Sequence, residues 1–355
     1  MAVPSRALAP GATVRFRPPR FGLGGSHLGE PDEQTAIATV DAAYQAGIRF
    51  FDTSPAYGDS DRRLGTALQR RPRGEFLVST RVVGDDPEES IRQTSEHLGF
   101  AIDLVFTQPR THEGARHGEQ QLAQDRAVRG DEAQSAREGA VRDAPGGGAL
   151  GALEGAVRDK RGGGAEDVRE GVVRGDGAQG ARGGVLGGGV RGGERWGMDE
   201  GVGWEVFSVL ERLRREGVVR AVGVVGGDWE ELDQVVRDVE VDCVLLTGHY
   251  SLLDQQAKPL LDRCLARGVS VIVAGALVLQ PETVQARRIT AVCERYGVSL
   301  PQAALAFPGR HPAVTSVLIT AASPAEIRAD AALVRQPVPE RLWQDPELAR
   351  LLSSD

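Results

Sequence analysis

Asp52 and Tyr57 lie five residues apart in the stretch Gly47-Ile48-Arg49-Phe50-Phe51-Asp52-Thr53-Ser54-Pro55-Ala56-Tyr57-Gly58-Asp59-Ser60. The apolar run before Asp52 reads as a short strand that delivers the aspartate at its carboxyl end. Pro55 and Gly58 then mark a tight loop carrying Tyr57. A helix opens just after, with Ser60 or Asp61 expected as its cap. A carboxylate at a strand end and a phenol in the following loop can share one site. A phenol, with an ordinary pKa near 10, is a poor acid at neutral pH unless a neighbouring cation favours the phenolate. Arg81 ends the run Phe76-Leu77-Val78-Ser79-Thr80-Arg81, and a guanidinium does not deprotonate. Gln108 closes the run Ile102–Thr107 and offers a hydrogen-bond donor that does not titrate.

Alternating elements must bring these residues together. Strands are expected at Arg20–Leu23, Ile48–Asp52, Phe76–Thr80, Ile102–Thr107, Val219–Val224, Cys243–Leu246, Val269–Val273 and Val314–Ile319. Helices are expected at Glu33–Ala46, Asp61–Arg70, Pro87–Leu98, Trp204–Glu216, Asp228–Asp238, Gln255–Arg267, Pro281–Tyr296, near Pro301–Phe307, and at Pro324–Val334. Short apolar strands without strict alternation suit a buried parallel sheet. Eight strand–helix units point to an α/β chain folded as a (β/α)8 TIM barrel, whose chemistry sits where strands end. Asp52, Arg81, Gln108 and Tyr250 all fall at or just after such ends. Residues 15–110 and 204–345 then form two halves of one barrel.

Between them, residues 111–203 hold 26 of the 46 glycines, almost no large apolar residues, and Trp196 as the only aromatic. Near-repeats recur every 16 residues, beginning at Glu138, Glu154 and Glu170. Each offers too little apolar surface to offset the entropy of ordering, so the segment reads as a disordered insertion after strand 4. An interaction arm that orders on a protein partner, or a coding artefact, are the other readings. His112, at its start, reads as solvated.

The formal charge of −8 argues against nucleic acid as a partner. No apolar run reaches membrane-span length, and Met1–Pro10 lacks the apolar core of a signal peptide. Cys243, Cys264 and Cys293 lack metal-type spacing and read as buried thiols in a reducing compartment, so the expectation is a soluble cytoplasmic protein without a metal. Lysine occurs only at Lys160 and Lys258, an arginine bias of the kind a GC-rich coding sequence produces.

The stretch around Asp52 and Tyr57 resembles the signature of the aldo-keto reductases. Asp242-Cys243-Val244-Leu245-Leu246-Thr247-Gly248-His249-Tyr250-Ser251-Leu252-Leu253 is similar to the sixth strand and turn of their sugar-oxidising branch. Gly217–Val224 and His311–Val317 resemble the fifth and eighth strands. The resemblance spans roughly 20–108 and 204–345. It implies a barrel that transfers a hydride between NADP or NAD and a sugar or small carbonyl compound. Tyr57 would be the proton donor, Asp52 and Arg81 its supports, Gln108 the group orienting the carbonyl, and Tyr250 a platform for the nicotinamide. Arg81 and Gln108 stand where the family has lysine and histidine. Gly226-Gly227 replaces a polar pair beside the nicotinamide amide. The connection after the seventh strand is short where the family folds a loop over the pyrophosphate. Thr320-Ala321-Ala322-Ser323 lacks the arginine that meets the 2′-phosphate, leaving Ser323 and Arg328 as candidates at the next helix start. These departures leave open a second reading, a barrel of this family that binds a ligand or partner or performs cofactor-free acid/base chemistry.

Overall fold

The computed structural model describes residues 14–84, 86–109 and 203–353. The expected insertion lies outside the described residues, apart from Gly203, which opens a helix. In the first half, β1 (Phe21–Gly24), β2 (Phe50–Asp52), β3 (Leu77–Arg81) and β4 (Leu104–Thr107) alternate with α1 (Glu33–Gln45), α2 (Ser60–Leu68) and α3 (Pro87–Leu98). The second half begins with α4 (Gly203–Arg215), β5 (Ala221–Gly226), α5 (Trp229–Asp238), β6 (Cys243–Thr247), α6 (Lys258–Arg267) and β7 (Ser270–Ala274). It continues through α7 (Val284–Arg295), α8 (Leu300–Ala306), β8 (Val314–Thr320) and α9 (Pro324–Arg335). Two short helices, α10 (Glu340–Trp343) and α11 (Pro346–Leu352), follow.

All neighbouring strands run parallel, and β8 pairs with β1, so the sheet closes into an eight-stranded barrel. The expected strands each fall within a residue or three of an observed one. Two helices begin later than read: α6 at Lys258 and α7 at Val284, because the chain after β6 and after β7 first makes turns at Gln255–Lys258 and Gly275–Val278. The short C-terminal helices escaped the sequence reading.

Strand alternation separates two apolar layers. Phe50, Leu104, Phe106, Val225, Leu245 and Leu318 point inward and fill the barrel. Their neighbours, such as Phe51, Val105, Val224, Leu246 and Val317, point outward against the helices. The bottom of the barrel is held by buried carboxylates at strand starts. Asp103 accepts from Val78 N at 2.9 Å and pairs with Arg73, while Asp242 accepts from Val222 N at 2.9 Å and pairs with Arg214. These carboxylates satisfy strand-end N–H groups that would otherwise be orphaned.

The start of α2 differs from its expected form. Its cap position is Asp59, which makes no side-chain cap bond, whereas Ser60 and Asp61 turn inward and are buried. Both find hydrogen-bond partners in the connections after β2 and β1, Thr53 and Gly25, instead of helix N–H groups.

Candidate active site

β2 ends on Asp52 and β3 on Arg81, and both side chains take the inward register of Phe50 and Leu77. Ser79, two residues before Arg81 and paired in register with Asp52, donates its hydroxyl to Asp52 Oδ1 at 2.6 Å. Arg81 Nη2 lies 3.9 Å from Asp52 Oδ2. The guanidinium carbon lies 5.0 Å from the centroid of the Tyr57 ring. Tyr57 sits in a 3-10 turn, Pro55–Tyr57, whose start is capped by Ser54 Oγ accepting from Ala56 N at 3.2 Å. The structure thus gathers a carboxylate, a guanidinium and a phenol at the carboxyl end of two adjacent strands. That is the end of a barrel where chemistry is placed.

Burial governs the electrostatics of this trio. Asp52 is 2 % exposed and Tyr57 4 %. Desolvation pushes the Asp52 carboxyl above its ordinary range, the charge of Arg81 and the Ser79 hydrogen bond oppose that, and Asp61 adds a smaller upward push. A buried pair of this kind holds together because breaking it strands a charge away from water. Arg81 also gains from the ring face of Tyr57, a cation–π contact that strengthens when water is excluded.

Gln108 follows β4 directly. Leu104 and Phe106 face the barrel interior, so the alternation carries Gln108 onto the same side, one step above Phe106, the register partner of Arg81. It is exposed at the rim. Gly226 ends β5, and a Cβ there would meet Leu232 of α5 at 3.4 Å, so Gly226 faces the helix layer; Gly227 follows in a bend.

Tyr250 departs from its expected role. Its ring is 5 % exposed, with its centroid 5.6 Å from that of Phe307 and 6.1 Å from that of His311. It belongs to the outer cluster with Val224 and Leu246, between sheet and helices, and burial pushes its phenol up to about 12. Apolar packing covers the ring, and the charges of Asp262 and Arg310 act on its hydroxyl, so Tyr250 is held in the layer between sheet and helices.

The candidate phosphate site at the start of α9 is also altered. Ser323 caps the helix by accepting from Glu326 N at 3.3 Å, and Glu326 Oε2 accepts from Ala322 N at 2.9 Å. A carboxylate already answers the partial positive charge of that helix end. Arg328 is exposed on the helix one turn further on.

Several residues of the site escaped the sequence reading. Ser79 was legible from alternation with Arg81, two residues on. His27, in the connection after β1, bonds through Nδ1 to Glu30 at 3.3 Å at the same end of the barrel, and nothing in its local sequence marks it. Cys243, Cys264 and Cys293 are free, buried thiols, all pushed up by burial. Among the described residues no helix is long and apolar enough to cross a membrane.

Comparison with known proteins agrees with this geometry. The chain is 27% identical to a D-threo-aldose 1-dehydrogenase from Pseudomonas sp over 370 residues, covering 94% of each chain. It is 32% identical to a pyridoxal 4-dehydrogenase from Microbacterium luteolum over 157 residues, covering 39% of this chain and 46% of that protein. An aldo-keto reductase from Bacillus halodurans shares the fold at a TM-score of 0.58, with 16% sequence identity and 96% of each chain covered. The Aldo/keto reductase family model matches residues 20–99 and 203–344, skipping the segment between the two halves of the barrel. With that match spanning most of the chain and the acid, cation and phenol assembled at the strand ends, the protein belongs to the aldo/keto reductase family and is an oxidoreductase acting on small molecules.

Proposed function

We propose that the protein transfers a hydride between NAD and a sugar or other small carbonyl compound in the cytoplasm, with Tyr57 as the proton-handling group. The observation that carries this reading is the placement of the Arg81 guanidinium 5.0 Å from the Tyr57 ring and 3.9 Å from Asp52. In the reducing direction Tyr57 Oη gives its proton to the carbonyl oxygen, leaving a phenolate beside a fixed positive charge. In the oxidising direction the phenolate takes the proton from the alcohol. Arg81 favours the phenolate in both directions, and Asp52, anchored by Ser79, fixes where that charge sits. Arg81 cannot lose a proton, so the proton that leaves Tyr57 returns to the same oxygen from water or substrate. Gln108, exposed at the rim, donates a hydrogen bond that orients the carbonyl. A bound nicotinamide ring would supply or accept the hydride.

The residues present fit NAD better than NADP. Gly226 and Gly227 carry no side chain that could meet the carboxamide. The α9 start carries Glu326 rather than an arginine, which suits a hydroxyl and repels a phosphate. Three buried free thiols agree with a reducing compartment. The relatives named as dehydrogenases support the sugar-type substrate.

Calorimetric titration of the folded protein with NADH and NADPH tests the reading. Binding of NADH near micromolar, with NADPH at least tenfold weaker, is expected. No heat with either at millimolar concentration would sink it and move the search to cofactor-free acid/base chemistry or ligand binding.

A further inference from the structure

Behind the strand that ends on Asp52 lies a second polar cluster that the proposed reaction does not use. Asp61, on the inner face of α2, is 2 % exposed, and its Oδ1 lies 2.5 Å from Thr53 Oγ1. Thr53 Oγ1 lies 3.0 Å from Ser60 Oγ, and Ser60 Oγ donates to Gly25 O at 3.1 Å. Thr53 and Ser60 are themselves fully buried.

The protons in this chain can be counted. Three contacts, Asp61 to Thr53, Thr53 to Ser60, and Ser60 to Gly25 O, each need one hydrogen. Ser60 must give its hydrogen to the carbonyl, which can only accept. Thr53 has one hydrogen for two neighbours. If Thr53 gave it to an ionised Asp61, the 3.0 Å contact between the two hydroxyls would hold two facing lone pairs and no hydrogen. The chain closes only when Asp61 supplies the third hydrogen, so that donation runs in one direction, Asp61 to Thr53 to Ser60 to Gly25 O. Asp61 Oδ2, buried and without a hydrogen-bond partner among the described residues, agrees, since a neutral acid's carbonyl oxygen tolerates this far better than a carboxylate oxygen does. Burial pushes the Asp61 carboxyl up, against the Thr53 hydrogen bond and the charge of His97 on α3. Asp52, facing the barrel on the other side of the strand, is the other charged group coupled to it.

The chain also has a place in the site. Thr53 and Ser60 bracket the loop that carries Tyr57, and Gly25 belongs to the neighbouring β1 connection. That connection packs so closely on the tyrosine loop that a Cβ on Gly29 would lie 2.2 Å from Tyr57 O. Thr53 N also donates to Ser79 O at 3.0 Å, tying the same residue to β3.

We propose that Asp61 is a neutral carboxylic acid in the folded protein and, through Thr53 and Ser60, the positioning residue that locks the Tyr57 loop onto the barrel rim. This rests on Tyr57 being the reactive phenol. Its test needs neither cofactor nor substrate, so its failure is separable from failure of the redox reading.

Carbon-13 NMR tests both halves of the claim. With labelled aspartate carboxyls, the Asp61 signal, identified by its loss in Asp61→Asn, stays at a protonated position from pH 5 to pH 7. With labelled tyrosine ring carbons there are four signals, one per tyrosine, and Tyr57 is assigned through Tyr57→Phe. Asn can donate to Thr53 as the neutral acid does, so Asp61→Asn keeps the Tyr57 signal in place. Asp61→Ala moves it and raises amide exchange across residues 53–60 about tenfold relative to the strands. Thr53→Val, which cuts the chain from its other end and keeps the acid, repeats the effect if Asp61→Ala fails to fold. An Asp61 signal that titrates near the ordinary carboxylate value of about 4 would overturn the protonation. A Tyr57 signal and loop exchange unmoved in the folded variants would overturn the positioning role.

Discussion

Arg81 touches both members of the site at once, its guanidinium 5.0 Å from the Tyr57 ring centroid and 3.9 Å from the Asp52 carboxylate. A lysine would put a point charge there; the planar guanidinium spans ring and carboxylate together. Replacing Arg81 by Met leaves Asp52 buried and unpaired. The expected cost is about 3–5 kcal/mol of stability, read by chemical denaturation. Adding Asp52→Asn to Arg81→Met should recover most of that loss without restoring turnover. Recovery of turnover would show that the charge pair is not what tunes Tyr57.

Asp61 gives a pH signature in stability. Its carboxyl is raised in the folded state, so its favourable contribution is complete below the ordinary value of 3.8 and is lost as pH rises through the folded value. Asp61→Asn is neutral throughout. The melting temperature of Asp61→Asn relative to the parent should therefore climb as pH rises from below 3.8, then level off above the folded value. A difference that stays constant across this range contradicts the raised carboxyl.

Tyr250 separates packing from binding. Its ring lies against Phe307 and His311, so Tyr250→Leu should cost about 1–3 kcal/mol in thermal or denaturant unfolding. The same variant should bind NADH within about twofold of the parent, because the ring faces the helix layer. A large loss of NADH affinity with unchanged stability would return Tyr250 to the site.

Most of the barrel was legible because each short apolar strand was followed by an amphipathic helix, a local signal that does not depend on how the chain closes. Asp52, Tyr57 and Arg81 were legible too, since a strand end fixes where such residues point. The errors came where tertiary packing overrides local pattern. Tyr250 follows a strand as a rim residue should, yet Phe307, 57 residues on, captures its ring. Ser60 and Asp61 look like helix caps, but Gly25 and Thr53 offer buried partners that the local sequence does not reveal. Glu326 completes a capping pattern with Ser323 that was readable, and its consequence for a phosphate emerged from the bond to Ala322.

Glu326 should set the preference between the two dinucleotides. Replacing it with Gln removes the repulsive charge and keeps the hydrogen-bonding group, so NADPH affinity should rise about tenfold while NADH affinity changes little. Calorimetric dissociation constants for both cofactors decide it. An unchanged ratio would place the adenosine ribose elsewhere.

In the proposed reaction Tyr57 moves the proton while a nicotinamide moves the hydride. Its most direct test follows nicotinamide absorbance for parent and Tyr57→Phe with NAD and a panel of aldoses, with NAD affinity measured on the same samples. Turnover of at least one sugar by the parent is expected, with a loss of about 10²–10⁴-fold in Tyr57→Phe and NAD affinity within about twofold. Turnover that survives in Tyr57→Phe, or loss of NAD binding together with turnover, would contradict it.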